Sequence, residues 1–180
     1  RISRCIDNYF VSAGGLGFAD TCELCNDMNS VPSVAMCLTC EDATTATCLR
    51  AECASGYHTF DSSSQTCREC TAVANAADDA TYTCTSELNS RVSRCAYGFY
   101  LVVGTDSTPD VCAPCGAMAG IDSVARCLLC IDDSDESCYL GSCQVGHHTY
   151  DPGTLTCMEC PAGTYVDHTG SSSVDDCIDC

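Results

Sequence analysis

Hydrophobic positions along this 180-residue chain come in short bursts separated by polar turns. The longest burst, around Tyr97 to Val103, suits a strand and is far too short to cross a membrane. Five bursts share one layout: a cysteine, two residues, often a glycine, an aromatic pair, a polar turn, then C-x-x-C. They are CIDNYFVSAGGLGFADTCELC at 5–25, CASGYHTFDSSSQTCREC at 53–70, CAYGFYLVVGTDSTPDVCAPC at 95–115, CQVGHHTYDPGTLTCMEC at 143–160 and CPAGTYVDHTGSSSVDDCIDC at 160–180. Each predicts a short β-hairpin. In the fourth, His148, Thr149 and Tyr150 lead in, Asp151-Pro152-Gly153 turn, and Leu155 to Cys157 return. Proline presets φ at the second turn position, and glycine at the third accepts the positive φ of a type II turn. Asp61-Ser62-Ser63-Ser64 is a softer turn at the same place. The stretch from Cys70 to Cys84 is a degraded version of the layout, and Ser33-Val34-Ala35, with its copy Ser123-Val124-Ala125, reads as one helical turn.

A shift of 90 residues aligns the chain with itself without a gap. RISRC at 1–5 meets RVSRC at 91–95, SVAMCLTC at 33–40 meets SVARCLLC at 123–130, and HTFD at 58–61 meets HTYD at 148–151. Nine cysteines superpose: 5 on 95, 22 on 112, 25 on 115, 37 on 127, 40 on 130, 48 on 138, 53 on 143, 67 on 157 and 70 on 160. A fixed period of this kind marks a modular array. The expected domains are a first cysteine-rich repeat over 1–90 and a second over 91–180, with submodules starting at Cys5, Cys53, Cys95, Cys143 and Cys160.

Composition changes the picture in two ways. Twenty-one cysteines, no tryptophan and scattered Leu, Ile and Phe leave too little apolar material for an ordinary core, so covalent staples or metal must substitute. Twenty-five acidic residues face seven basic ones, all arginine, for a formal charge of −18. That balance argues against nucleic acid, whose phosphates need a Lys/Arg surface. The absence of lysine excludes a P-loop, a Schiff-base enzyme and any Ser-x-x-Lys site. No signal peptide opens the chain, so Arg1 is expected to begin a mature or excised piece. There is no N-x-S/T sequon, while abundant Ser and Thr leave O-linked glycans open.

Four chemistries compete for the cysteines. Cys22, Cys25, Cys37 and Cys40, and again Cys112, Cys115, Cys127 and Cys130, have a spacing that can surround zinc. Against zinc stand the lack of Gly and basic residues in these knuckles, the acidic surface, and cysteines such as 5, 48, 53 and 84 left unassigned in the first copy. Seven C-x-x-C pairs outside a βαβ context read as scaffold rather than redox centres. Of the adjacent His147 and His148, only the second has a counterpart, His58, because Tyr57 stands opposite His147. Asp132, Asp133, Asp135 and Glu136 cluster as calcium ligands do, but the matching loop at 41–47 keeps only Asp42, and a solvated acidic loop is the blander reading. Disulfides remain. Spacing alone does not fix connectivity; one scheme that closes short loops pairs Cys5–Cys22, Cys25–Cys40, Cys37–Cys48, Cys53–Cys67 and Cys70–Cys84, then Cys95–Cys112, Cys115–Cys130, Cys127–Cys138, Cys143–Cys157 and Cys160–Cys177. Each such loop stabilises by about 3 kcal/mol on chain-entropy grounds. Cys180 is then unpaired or intermolecular. Because Cys177 and Cys180 occupy the places of Cys22 and Cys25, another unit is expected to begin there.

The C-x2-G-aromatic…C-x2-C layout resembles the repeats of growth-factor-receptor (furin-like) cysteine-rich domains and of tumour-necrosis-factor-receptor modules. CPAGTYVDHTGSSSVDDCIDC, with its Pro-x-Gly-Thr-Tyr start, is similar to the ephrin-receptor-like cysteine motif, and the whole acidic chain is similar to protist cysteine-rich surface antigens. These resemblances imply a small disulfide-rich fold: an elongated rod of tandem β-hairpin cysteine modules with little regular secondary structure, placed extracellularly or at a cell surface. Tyr57, Phe60, Phe99, Tyr100, Tyr150 and Tyr165 are expected to stack on disulfides at the joints between modules, and His58 and His148 to pack there. No catalytic, cofactor-binding or metal residue is assigned, and no enzyme is expected. The leading function is a structural section of a coat or filament, whose partners are copies of itself or further repeats of a longer chain. The alternative is a receptor or adhesion ectodomain that meets a protein ligand, with Tyr97 to Val103 and the 132–136 loop as candidate faces. No membrane span is expected in this segment.

Overall fold

A computed structural model of the protein describes residues 3–15, 18–25, 28–44 and 47–180. Arg1 and Ile2 of the repeat's opening, two residues of the first hairpin's turn, two of the 41–47 loop, and Asn26 and Asp27 lie outside the described residues. Among the described residues, sixteen short strands follow one another: β1 (Tyr9–Ser12), β2 (Thr21–Leu24), β3 (Val34–Cys40), β4 (Cys48–Cys53), β5 (Tyr57–Asp61), β6 (Thr66–Glu69), β7 (Tyr82–Thr83), β8 (Arg91–Val92), β9 (Phe99–Val102), β10 (Val111–Pro114), β11 (Val124–Cys130), β12 (Cys138–Cys143), β13 (His147–Asp151), β14 (Thr156–Glu159), β15 (Thr164–Tyr165) and β16 (Ile178–Asp179). Single 3-10 turns occupy Asp135–Ser137 and Val174–Asp176, and no α-helix occurs among the described residues. The fold is small, disulfide-rich and built of two-stranded antiparallel pairs.

Two compact units divide the chain. The first takes Arg1–Ala72, Thr81–Arg91 and Thr105–Pro109; the second takes Val73–Ala80, Val92–Gly104 and Asp110–Cys180. In the first, β1 pairs with β2, β3 with β4, and β5 with β6. In the second, β9 pairs with β10, β11 with β12, β13 with β14, and β15 with β16. The registers match at the 90-residue shift. Val34 faces Cys53 as Val124 faces Cys143, and Cys40 faces Cys48 as Cys130 faces Cys138.

The cores are made largely of sulfur. In the first unit Cys25, Met28, Val34, Cys37, Cys48 and Cys67 are buried together, with Val31, Ala51, Tyr57 and Phe60 packed against them. In the second, Met118, Val124, Cys127, Cys130, Cys138, Cys143 and Cys157 form the cluster, flanked by Tyr100, Ile121, Tyr150 and Leu155. Two disulfides overlap at each β3–β4-type pair: Cys25–Cys40 crosses Cys37–Cys48, and Cys115–Cys130 crosses Cys127–Cys138. A chain with so little aliphatic material reaches a dry interior because cystine is itself apolar and already tethered.

Two local expectations are corrected. Ser33-Val34-Ala35 is not a helical turn. Two successive tight turns, with Val31 N–H donating to Met28 O (2.8 Å) and Val34 N–H to Val31 O (3.0 Å), deliver the chain directly into β3. Ser123-Val124-Ala125 enters β11 in the same way. The serine recurs for another reason: Ser33 Oγ accepts the Cys67 amide (3.1 Å) and Ser123 Oγ the Cys157 amide (3.0 Å). The Asp151-Pro152-Gly153 turn also differs. Gly153 does not adopt positive φ; Leu155 does (59°), as does Gln65 (58°) in the first copy. Asp151 Oδ1 accepts the Gly153 amide at 2.8 Å, and Asp61 Oδ1 accepts that of Ser63 at 2.8 Å. The aspartate side chain thus nucleates a longer turn, which closes on a left-handed residue beside the return strand.

One side-chain set differs between the copies. Ala51, Phe60 and Gln65 in the first stand where Gly141, Tyr150 and Leu155 stand in the second. Gln65 Nε2 donates to the Cys48 carbonyl at 2.9 Å, whereas the equivalent Cys138 carbonyl accepts from Tyr150 Oη at 2.9 Å. A Cβ placed on Gly141 would lie 2.7 Å from the Tyr150 ring.

Candidate interaction surface

The hairpins are held by a frame that begins at Cys-x-x-(Gly/Asn). Asn8, Gly56, Gly98, Gly146 and Gly163 all have positive φ, between 70° and 89°. This is the left-handed conformation that glycine and, among other residues, asparagine tolerate best. In every case the carbonyl of that residue accepts the amide of the last cysteine of the module: Cys25 (2.8 Å), Cys70 (2.8 Å), Cys115 (2.8 Å), Cys160 (3.0 Å) and Cys180 (3.0 Å). The same backbone bond therefore closes all five hairpins.

Twenty cysteines are joined as Cys5–Cys22, Cys25–Cys40, Cys37–Cys48, Cys53–Cys67, Cys70–Cys84, Cys95–Cys112, Cys115–Cys130, Cys127–Cys138, Cys143–Cys157 and Cys160–Cys177, with Cα separations of 5.6 to 5.9 Å. Cys180 is free and exposed. The four-cysteine sets with zinc spacing are divided among these bonds. The sulfurs of Cys115, Cys127 and Cys130 lie within 4.8 Å of one another, but each belongs to a disulfide and carries no thiolate charge for a metal.

His147 and His148 follow each other on β13, so their side chains leave on opposite faces and do not converge. His148 is buried with Nδ1 at 3.0 Å from Thr149 Oγ1, and His58 is buried with Nδ1 at 3.0 Å from Thr59 Oγ1. His147 is only half-buried, with Nδ1 3.2 Å from the Val145 carbonyl.

In the acidic loop, Asp132 Oδ1 accepts from Ser134 N (2.9 Å) and Ser134 Oγ (2.7 Å). Asp42 Oδ1 makes the matching pair with Thr44 N and Oγ1, both at 2.7 Å, and adds Thr47 Oγ1 at 2.7 Å. These hydroxyl and amide donors hold both carboxyls below the ordinary carboxylate range. Asp135 Oδ1 accepts the Met118 amide (2.7 Å). Asp132 and Asp135 therefore brace their own backbone, while Asp133 and Glu136 face solvent.

The aromatic residues divide. Tyr57, Phe60, Tyr100 and Tyr150 press on the sulfur-rich cores, whereas Tyr165 is 42% exposed. Around the β9–β10 hairpin of the second unit, Tyr97 (66%), Val103 (70%), Val111 (53%) and Val102 (43%) are exposed. Val102 and Val111 are partners across the pair and share a face. At the same places the first unit carries Ser12 opposite Thr21. This polar-to-apolar exchange of a registered pair becomes visible in sequence only once the register is known.

A family model described as tyrosine-protein kinase ephrin type A/B receptor-like matches residues 130–177. The match starts at β11's last cysteine, upstream of the 160–180 stretch that carries the Pro-x-Gly-Thr-Tyr motif. Together with the ten disulfides it gives the chain the character of a cysteine-rich repeat protein. Comparison with curated proteins and with solved structures returned no match.

Proposed function

We propose that the chain is a non-enzymatic, extracellular run of cysteine-rich modules serving as a structural section of a cell-surface coat or filament. The observation that carries this reading is the fivefold recurrence of one frame: a left-handed Gly or Asn whose carbonyl takes the amide of the module's last cysteine. Twenty cysteines are committed to loop closure, and so many disulfides persist in oxidising, extracytoplasmic surroundings. Likeness to receptor cysteine-rich modules points to the same compartment. Cys25, Cys70, Cys115 and Cys160 each bond to a cysteine 14 to 17 residues on. Cys180 holds the equivalent place with its thiol exposed, which suits a bond to another copy or a further module. Mass spectrometry of unreduced, alkylated protein, with non-reducing electrophoresis of wild type and Cys180→Ser, tests this. Disulfide-linked multimers that vanish in the variant are expected. Quantitative alkylation of Cys180 in native material, with only monomers present, would sink the reading.

A receptor or adhesion ectodomain is the second reading, favoured by the Val102–Val111 pair that replaces Ser12–Thr21. Val102→Ser with Val111→Thr should then weaken cell or protein adhesion while leaving disulfide content unchanged. Undiminished adhesion in this variant would count against it.

A further inference from the structure

The first unit holds an open groove of about 410 Å³ whose walls include Tyr57, Tyr82 and Glu69. Tyr57 and Glu69 are partners across β5 and β6, so their side chains rise on one face. Tyr57 also packs against the sulfur core, which limits its movement. Tyr82 arrives from β7 in the degraded module. The Cys70–Cys84 disulfide ties that strand to the end of β6, and Ser55 Oγ donates to the Tyr82 carbonyl at 3.5 Å. Both phenol rings are half-buried and Glu69 is exposed. No basic side chain is among the lining residues.

Aromatic rings attract cations through their negative faces, and the attraction grows where water is partly excluded. A carboxylate beside them adds a charge partner without competing for the rings. The surrounding chain reinforces this, because a formal charge of −18 with no lysine draws cationic partners. The second copy keeps only the carboxylate. Glu159 faces His147 across β13 and β14 where the first copy pairs Glu69 with Tyr57, and past Cys160 the 90-residue register fades, so the shift gives Tyr82 no aromatic counterpart.

We propose that this groove binds a lysine or arginine side chain presented by a basic segment of a partner protein. The site belongs to the first unit alone, and it stands apart from any covalent continuation through Cys180.

The test is a calorimetric titration of the intact, oxidised protein with a tri-lysine peptide and, separately, with tetramethylammonium chloride. Saturable binding of the peptide is expected. Tyr82→Ser, which removes one ring, should weaken it by about threefold to thirtyfold, and Glu69→Gln should weaken it several-fold. Glu159→Gln removes the same charge from the other copy and should leave affinity within about twofold. Glu69→Gln leaves an exposed site sterically unchanged, so it reads the groove even if Tyr82→Ser disturbs its module. Equal weakening by Glu69→Gln and Glu159→Gln would overturn the proposal in favour of general surface attraction. So would wild-type affinity in Tyr82→Ser with all ten disulfides intact, or no saturable binding at all. Saturable tetramethylammonium binding lost in Tyr82→Ser supports the ring contribution; its persistence in that variant counts against it.

Discussion

The carbonyls of Cys48 and Cys138 occupy the same corner of two like units, yet each is satisfied by a different side chain. Gln65 reaches Cys48 in the first; Tyr150 reaches Cys138 in the second. The exchange is a set of three. Where tyrosine supplies the donor, leucine replaces glutamine and packs on the core, and glycine replaces alanine to admit the tyrosine ring. Where phenylalanine leaves the carbonyl unmet, glutamine serves it, and alanine and phenylalanine both pack on the core. The disulfide and backbone frame is common to both units, and the side chains that fill it change together. A buried acceptor must be paired, but the identity of its donor is free.

The largest perturbation should treat both units alike. Replacing Cys37 and Cys48 by serine, or Cys127 and Cys138, removes a crossed disulfide and should cost about 3 kcal/mol in either unit. Denaturation of each variant under non-reducing conditions checks this, and clearly unequal losses would break the idea of a common frame. Gly141→Ala comes next. Its Cβ meets the Tyr150 ring at 2.7 Å, so a loss of about 1–3 kcal/mol is expected. The triple variant Gly141→Ala, Tyr150→Phe, Leu155→Gln rebuilds the first unit's set and should recover most of that loss. Tyr150→Phe alone should cost about 1 kcal/mol by orphaning the Cys138 carbonyl, and adding Leu155→Gln should restore it.

The smallest effects are in pH. Burial, and then the neighbouring Asp151, raises the Tyr150 hydroxyl above the ordinary phenol value. The folded state therefore resists its ionisation. The stability this brings is complete at neutral pH and is lost as pH rises past the ordinary phenol value through Tyr150's own. An alkaline absorbance titration should show one late tyrosine that disappears in Tyr150→Phe. Asp42 and Asp132 behave oppositely and alike. Their lowered values make the loop contribution present at neutral pH and lost as pH falls through their own values, below the usual carboxylate range. Proton NMR of Thr44 and Ser134 amides should follow the two losses together; loss of one without the other would separate the loops.

The hairpins were legible because their signals are local. A cysteine with, often, a glycine three residues on marks the start, and an aromatic pair before a polar turn reads as an ingoing strand. What escaped reading depends on partners far away in sequence. Ser33 looked like part of a helical turn because nothing near it reveals that its hydroxyl accepts the Cys67 amide. Asp151-Pro152-Gly153 looked like a type II turn because Leu155, a residue with no preference for positive φ, carries the left-handed bend. Tyr82 sits in the stretch with the weakest repeat signal, and the Cys70–Cys84 tether helps bring it to the groove that Tyr57 lines. The adjacent histidines show the reverse: neighbours in sequence, they are set on opposite faces by strand alternation.

The overlapping bonds of each core also decide how the chain would carry tension. A pull entering at Cys25 passes through sulfur to Cys40, back along β3 to Cys37, and through sulfur again to Cys48. The backbone of the intervening loops is bypassed, and Cys115, Cys130, Cys127 and Cys138 repeat the path. Under load such a segment gives up almost none of its contour length while it stays oxidised. Its slack is locked behind covalent bonds, and a reductant, rather than force, is what pays it out.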